Sequence, residues 1–252
     1  MTDRNAPVGV FDSGVGGIST LAEIKRVLPG EHFIYFGDTR NAPYGTKDTA
    51  EVLEYIAKVA DYLVSEGCKA LVIACNTATG VGAAYLREHL AIPVIGMEPA
   101  LKPASMIRKN GKILVLATPV TLNLPKFAML MEKYGEGAVP VPCPGLMELV
   151  ENEQDEKART YLESVFSGYD MEKTDAVVLG CTHYVFLRKM IRSMLPEHIA
   201  ITDGNHGVAM QLKRVLEQNG TNRISENGSI RFETSGDPAL VLPVMKRLFE
   251  KG

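Results

Sequence analysis

Ala70-Leu71-Val72-Ile73-Ala74-Cys75-Asn76-Thr77-Ala78-Thr79 is the stretch that decides the fold. Four β-prone apolar residues run into a cysteine, and small hydroxyl and amide side chains follow. A buried parallel strand looks like this where it ends in a turn and hands over to a helix. A cysteine so placed sits at the carboxyl edge of a sheet, where open α/β folds hold their ligands. It also lies close to a helix N-terminus, whose partial positive charge favours thiolate over thiol. The plainer alternative is a buried, inert cysteine, the commoner fate of a free thiol.

The plan recurs. Asp175-Ala176-Val177-Val178-Leu179-Gly180-Cys181-Thr182-His183-Tyr184 is again an apolar strand, a small residue, a cysteine and a threonine close behind, 106 residues further on (75 to 181). That spacing is the size of one small domain. Two α/β halves, each presenting a cysteine from the same kind of strand end, could face one another across a cleft. A carbon held between two such thiols can lose a proton from one face and regain one on the other.

The whole chain carries strands alternating with helices, which implies parallel sheets with right-handed crossovers. Val8–Phe11, His32–Phe36, Ile92–Gly96, Ile113–Leu116, Val139–Val141 and Ile230–Glu233 read as further strands. Helices are expected over Gly17–Leu28, Asp48–Glu66, from Cys75 to about Leu90, and over 98–109, 120–134, 155–167, 207–219 and 237–250. A basic helix with Arg188, Lys189 and Arg192 follows the Cys181 strand. The expected boundary between the halves falls near Gly96-Met97-Glu98-Pro99.

Composition excludes several function classes. At 252 residues, 46% hydrophobic and 23% charged, the chain is an ordinary globular protein with ample apolar area to bury. A net charge of −3 gives no electrostatic reason to expect nucleic acid or an anionic membrane as partner. No apolar run approaches transmembrane length, and Met1-Thr2-Asp3-Arg4-Asn5 has no signal-peptide character. The four cysteines (Cys68, Cys75, Cys143, Cys181) lack C-x-x-C spacing, so neither a zinc site nor a disulfide framework is expected. Free thiols in an unsignalled chain point to a reducing cytoplasm.

Four further segments invite a chemical reading. Asp12-Ser13-Gly14-Val15-Gly16-Gly17 follows the opening strand, and its glycines let backbone amides approach a carboxylate or phosphate. Its spacing is not G-x-G-x-x-G, and Asp12 at its head would repel a phosphate, so a dinucleotide site is disfavoured. A tight turn with Asp12 or Ser13 as helix cap explains it equally well. The long connection Gly37-Asp38-Thr39-Arg40-Asn41-Ala42-Pro43-Tyr44-Gly45-Thr46 is either a carboxylate-holding turn built on Pro43-Tyr44-Gly45 or a solvated surface loop. In Cys143-Pro144-Gly145-Leu146-Met147-Glu148-Leu149-Val150-Glu151, the two glutamates are either site acids or exposed helix carboxylates. His183 follows Cys181 on an expected loop, where it is either structural or tunes the thiol. A metal site from Cys181, His183 and Asp12 lacks standard ligand spacing.

Together these segments resemble the cofactor-independent aspartate/glutamate racemase superfamily, and within it the glutamate racemases. The likeness rests on Gly9–Gly17, Gly37-Asp38-Thr39 with Pro43-Tyr44-Gly45, Ala74–Thr79 and Gly180–Tyr184, supported by Cys143–Glu151 and Thr234-Ser235-Gly236-Asp237. The chain departs from the usual pattern at Arg40-Asn41, where Ala then Arg is common, at Val185 and Glu148, where proline is common, and over Thr202–Val208. The resemblance implies two similar parallel-sheet α/β domains related by pseudo-symmetry, one of residues 1–97 plus 207–252 and the other 98–206, with the active site in the cleft between them. It implies that Cys75 removes the α-proton of D-glutamate and Cys181 that of L-glutamate, each thiol returning a proton in the other direction. Asp12 would assist Cys75 and His183 would assist Cys181, with Glu151 a further acid. Ser13, Asn76, Thr77 and Thr182 would hold the α-amino and α-carboxylate groups, and Tyr44 and Gly45 the side-chain carboxylate. No cofactor and no metal are implied, and no pyridoxal-phosphate lysine signature stands out. A cytoplasmic homodimer supplying D-glutamate for peptidoglycan is the implied setting.

Three other readings compete. An aspartate-type racemase would share the same site plan. A thiol hydrolase would use Cys181 as nucleophile and His183 as base, but it leaves Cys75 idle, and residues two apart on a loop seldom reach that geometry unaided. A non-catalytic binding protein would use the cleft for an amino acid alone.

Overall fold

A computed structural model describes residues 3–225 and 227–251. Met1 and Thr2, read above for a targeting signal, lie outside them. The chain divides into two compact units. One holds the residues up to Met97 and those from Asn205 on, and the other spans Glu98–Gly204.

The first unit opens with β1 (Val8–Asp12), α1 (Ile18–Val27), β2 (Phe33–Gly37), α2 (Thr49–Ser65), β3 (Ala70–Ile73), α3 (Asn76–His89) and β4 (Val94–Gly96). Every residue of β1 and β3 is buried, as strands covered on both faces require. α2 shows how its sequence selects a helix. Asp48 caps it by accepting the Ala50 N–H at 2.8 Å. Val52, Ile56, Val59 and Leu63 recur at three- and four-residue spacing and form its buried face. Each contributes about 1.5–3 kcal/mol by leaving water.

The second unit contains α4 (Leu101–Ile107), β5 (Lys112–Ala117), α5 (Pro119–Asn123), α6 (Pro125–Tyr134), β6 (Ala138–Pro142), α7 (Leu146–Glu151), α8 (Asp155–Ser167), β7 (Thr174–Leu179), α9 (Arg188–Met194) and β8 (Ala200–Thr202). The chain then completes the first unit with α10 (Asn205–Gln218), β9 (Ile230–Thr234) and α11 (Pro238–Lys251).

Three expectations need correction here. The helix expected over 120–134 is two helices, because Leu124 precedes Pro125 and is held extended at φ −73°, ψ 142°. The helix expected over 98–109 is confined to Leu101–Ile107, ending where Arg108 turns extended. β8 was not anticipated. It is a three-residue edge strand, only half-buried, and too short for a periodic signal. The two prolines of β6 fit its place at the other edge of the sheet.

Both sheets are wholly parallel. Their strand orders are β4-β3-β1-β2-β9 and β6-β5-β7-β8. Read from its other edge, the second sheet is β8-β7-β5-β6, the order of β4-β3-β1-β2 in the first. The chain therefore builds the same four-stranded topology twice and adds β9 to one copy. In each copy the strand connections diverge at one gap, between β1 and β3 and between β5 and β7. Open α/β sheets bind ligands in the crevice outside such a gap.

Candidate active site

β1 ends at Asp12 and β3 at Ile73, so the residues that follow flank the first gap. Asp12 is fully buried, and its Oδ2 accepts the Gly17 N–H at 2.6 Å, closing the turn from strand to helix. A Cβ on Gly17 would stand 2.7 Å from Asp12 Cβ and 2.9 Å from Ala74 Cβ, so only glycine lets this turn close. The Tyr35 hydroxyl donates to the Gly14 carbonyl at 2.9 Å and supports the loop from within the unit. Ser13 Oγ lies 3.7 Å from Cys75 Sγ. Cys75 is the N-cap of α3, and its sulfur accepts the Ala78 N–H at 3.4 Å. Asn76 and Thr77 occupy the first turn of that helix and are buried. Asn76 Oδ1 is shielded from solvent and meets no donor among the described residues. A buried carbonyl oxygen left so is costly unless a ligand supplies the donor.

The connection after β2 is not the solvated loop that was one expectation for it. Asp38 and Tyr44 are both buried. The Tyr44 hydroxyl donates to Asp38 Oδ2 at 2.6 Å. Burial, and then the Asp38 carboxylate, push the phenol far above its usual range, so it stays protonated. Its proton is committed to Asp38. Asp38 is a buried site-loop carboxylate that sequence reasoning does not single out. Its only sequence signal is a carboxylate opening a long loop, and one of the donors that define it, Ser235, comes from a distant segment.

In the second unit, Gly180 and Cys181 follow β7 at the gap between β5 and β7. The segment His183 occupies is a 3-10 turn, Thr182–Leu187, and not an open loop. That turn folds the imidazole back on the thiol, with Cys181 Sγ and His183 Nδ1 3.8 Å apart. Residues two apart seldom reach one another from an open loop, and here the 3-10 turn supplies the fold-back. Glu151, the last residue of α7, places Oε1 2.9 Å from His183 Nε2, while Glu148 makes no such contact among the described residues. His183 is buried, as are Thr182 and Cys181. Burial opposes a charge on the ring, yet hydrogen bonds to Cys181 and Glu151 outweigh it and hold His183 well above the usual imidazole value. Cys143 belongs to the same apolar cluster as Cys181. Its thiol, pushed up to about 12 by burial and then by Cys181, stays neutral and donates to the Val141 carbonyl at 3.5 Å. None of the four cysteines is joined in a disulfide.

Comparison with known proteins agrees with this architecture. The model of the Asp/Glu/hydantoin racemase family matches residues 13–212. A glutamate racemase of Clostridium botulinum is 45% identical over 99% of both chains. The chain belongs to the Asp/Glu/hydantoin racemase family. Among solved structures, the glutamate racemase isoform RacE1 of Bacillus anthracis superposes on this racemase with a TM-score of 0.89 at 32% identity, covering 98% of this chain and 95% of its own. The Escherichia coli glutamate racemase in complex with L-glutamate and the activator UDP-MurNAc-ala gives a TM-score of 0.83 at 31% identity, covering 96% and 95%. No helix among the described residues of the racemase is long and apolar enough to cross a membrane.

Proposed function

We propose that this racemase interconverts L- and D-glutamate by a two-thiol proton transfer at Cα that needs neither cofactor nor metal. The observation that carries the reading is the duplicated topology. Each parallel sheet delivers one cysteine at its own gap, and each sulfur has a polar group against it, Ser13 for Cys75 and His183 for Cys181. Cys75 takes the α-proton of D-glutamate and Cys181 that of L-glutamate, and the other thiol returns a proton. Asp12 assists on the Cys75 side. His183 and Glu151 assist on the Cys181 side.

The donor-starved Asn76 Oδ1 suits an α-ammonium group. Ser13, Thr77 and Thr182 supply further contacts to the α-amino and α-carboxylate groups. Tyr44 and Gly45 hold the distal carboxylate. A thiol of ordinary pKa, about 8.5, is a weak base for an amino-acid α-C–H, so binding energy must supply much of the activation. Donors aimed at the α-carboxylate stabilise the carbanion as charge develops. One sulfur must enter as thiolate and the other as thiol, so the two exchange roles each turnover. The family likeness extends the reading to a homodimer that supplies D-glutamate for bacterial peptidoglycan.

The Cys181–His183 contact taken alone also suits a thiol nucleophile with its base. That reading gives Cys75, at the equivalent position of the other sheet, nothing to do. Incubation of either enantiomer in deuterium oxide separates the possibilities. Racemisation with uptake of one solvent deuteron at Cα, followed by proton NMR and circular dichroism, is expected. Binding without exchange would leave only a binding protein, and cleavage of an amide or ester analogue would favour the hydrolase.

A further inference from the structure

Thr234-Ser235-Gly236-Asp237, the last segment of the family likeness, has no part in the chemistry proposed above, yet it is bound closely to the loop that begins at Asp38. The buried Asp38 carboxylate accepts from Asn41 Nδ2 at 3.0 Å to each oxygen, from the Tyr44 hydroxyl at 2.6 Å and from Ser235 Oγ at 2.5 Å. Asn41 and Tyr44 belong to the loop itself. Ser235 alone of these donors arrives from another segment, 197 residues along the chain. Its Oγ also accepts the Arg40 N–H at 3.1 Å, and its own N–H donates to the Gly37 carbonyl at 3.2 Å. Beside it, Thr234 Oγ1 and Thr39 Oγ1 are 2.7 Å apart. The two segments pack so closely that a Cβ on Gly236 would stand 2.3 Å from Thr39 Oγ1.

We propose that Ser235 is a positioning residue, which fixes the Asp38–Tyr44–Gly45 loop so that its backbone meets the distal carboxylate of a dicarboxylic amino acid. The inference rests on the reading of Tyr44 and Gly45 as the seat of that carboxylate. β9 pairs with β2 in register, Gly37 opposite Thr234, so Ser235 directly follows a strand hydrogen-bonded into the sheet. It ties to that strand a carboxylate whose other donors, Asn41 and Tyr44, are internal to the loop and would move with it. Ser235 approaches the loop and not the thiol of its unit, so its loss weakens binding and spares proton transfer.

The test is steady-state racemisation of both enantiomers of glutamate by the full chain, wild type against Ser235→Ala and Ser235→Thr. For Ser235→Ala, KM rises about tenfold, the effect of losing one hydrogen bond to a carboxylate, while kcat stays within about twofold. Ser235→Thr keeps the hydroxyl and restores KM. An unchanged KM in Ser235→Ala overturns the inference and leaves the racemase reading intact. So does a fall in kcat at constant KM, or a Ser235→Thr variant as impaired as Ser235→Ala, since these indicate a chemical or merely structural role. A wild type that does not racemise glutamate removes the proposed function, and the inference with it.

Discussion

Replacing Glu151 by glutamine isolates the charge that supports the Cys181 side of the proposed mechanism. Glu151 Oε1 lies 2.9 Å from Nε2 of the buried His183, and its side chain is only 28% exposed. A hydrogen bond to an ionised group in such surroundings contributes about 1.5–3 kcal/mol. Glutamine keeps the shape and an acceptor oxygen but removes the charge, so an imidazolium facing the Cys181 thiolate loses that support. Proton transfer at Cys181 then slows, and kcat/KM falls roughly 10- to 150-fold. The enantiomers have equal free energy, so kcat/KM must fall by the same factor in both directions, and the asymmetry has to be sought in isotope effects.

From L to D, Cys181 removes the substrate's own α-hydrogen in the slowed step. The primary isotope effect of α-deuterated L-glutamate rises towards its intrinsic value. From D to L, Cys75 performs the abstraction in a step left fast, and Cys181 returns a solvent-derived proton in the slow one. There the substrate isotope effect shrinks and the solvent isotope effect grows. Initial rates of protiated and deuterated enantiomers in light and heavy water, followed by circular dichroism, measure all four quantities. Equal substrate isotope effects in the two directions of Glu151→Gln would refute the assignment of the His183–Glu151 pair to one thiol. A larger effect from D to L would assign it to Cys75.

Two further outcomes concern stability. His183 is held above its unfolded value, against burial, by Cys181 and Glu151. Its contribution is therefore complete below the unfolded value of about 6.5 and is lost as pH rises through the raised folded-state value. Tm should fall over that alkaline-going range more steeply for the wild type than for His183→Asn, and parallel curves would contradict the linkage. In the first unit, Lys69 Nζ lies 2.6 Å from Glu31 Oε2, with both side chains at most 1% exposed. The same ammonium holds the Arg4 carbonyl at 2.7 Å and the Thr221 carbonyl at 2.8 Å. Lys69→Met leaves the buried Glu31 carboxylate without its ammonium partner, keeping the Arg223 N–H on Oε1 at 2.6 Å, and should cost about 3–5 kcal/mol, lowering Tm by roughly 6–20 °C, with partial recovery when Glu31→Gln is added. A shift below about 3 °C in the single variant would show that the Arg223 N–H suffices to hold the carboxylate.

What the sequence made legible was local. Ala70–Ile73 and Ala176–Leu179 announce themselves because strand segments buried on both faces must be apolar, and a cysteine stands out where such a run stops. Strand–helix alternation then leads to parallel sheets without knowledge of any contact. Glu148 and Glu151 could not be ranked, because both lie on α7 and only the placement of His183 favours one. The expected loop at His183 is a 3-10 turn, set by backbone geometry that Thr182–Leu187 does not advertise. The bond from Ser235 to Asp38 was beyond reading for a different reason. It depends on β9 returning to pair with β2, and no periodicity encodes which strand neighbours which.

The two cysteines occupy matching places in duplicated sheets, yet their surroundings handle negative charge differently. Cys75 caps a helix of 14 residues, so its sulfur meets an N–H of the first turn and the positive end of a long dipole. Cys181 precedes a 3-10 turn of six residues and makes no side-chain capping bond. A segment that short has little dipole to offer, and the imidazole of His183, backed by Glu151, stands in its place. A racemase reaction has equal free energy at its two ends, but that requirement constrains the sum over both half-reactions and not the means used in either. The duplicated fold thus supplies two equivalent positions for a thiol, and each copy can reach thiolate support by whatever its own local backbone allows. A fixed helix dipole does not titrate, whereas an imidazolium does. In the proposed mechanism, pH therefore acts on the support of Cys181 while leaving the dipole at Cys75 unchanged.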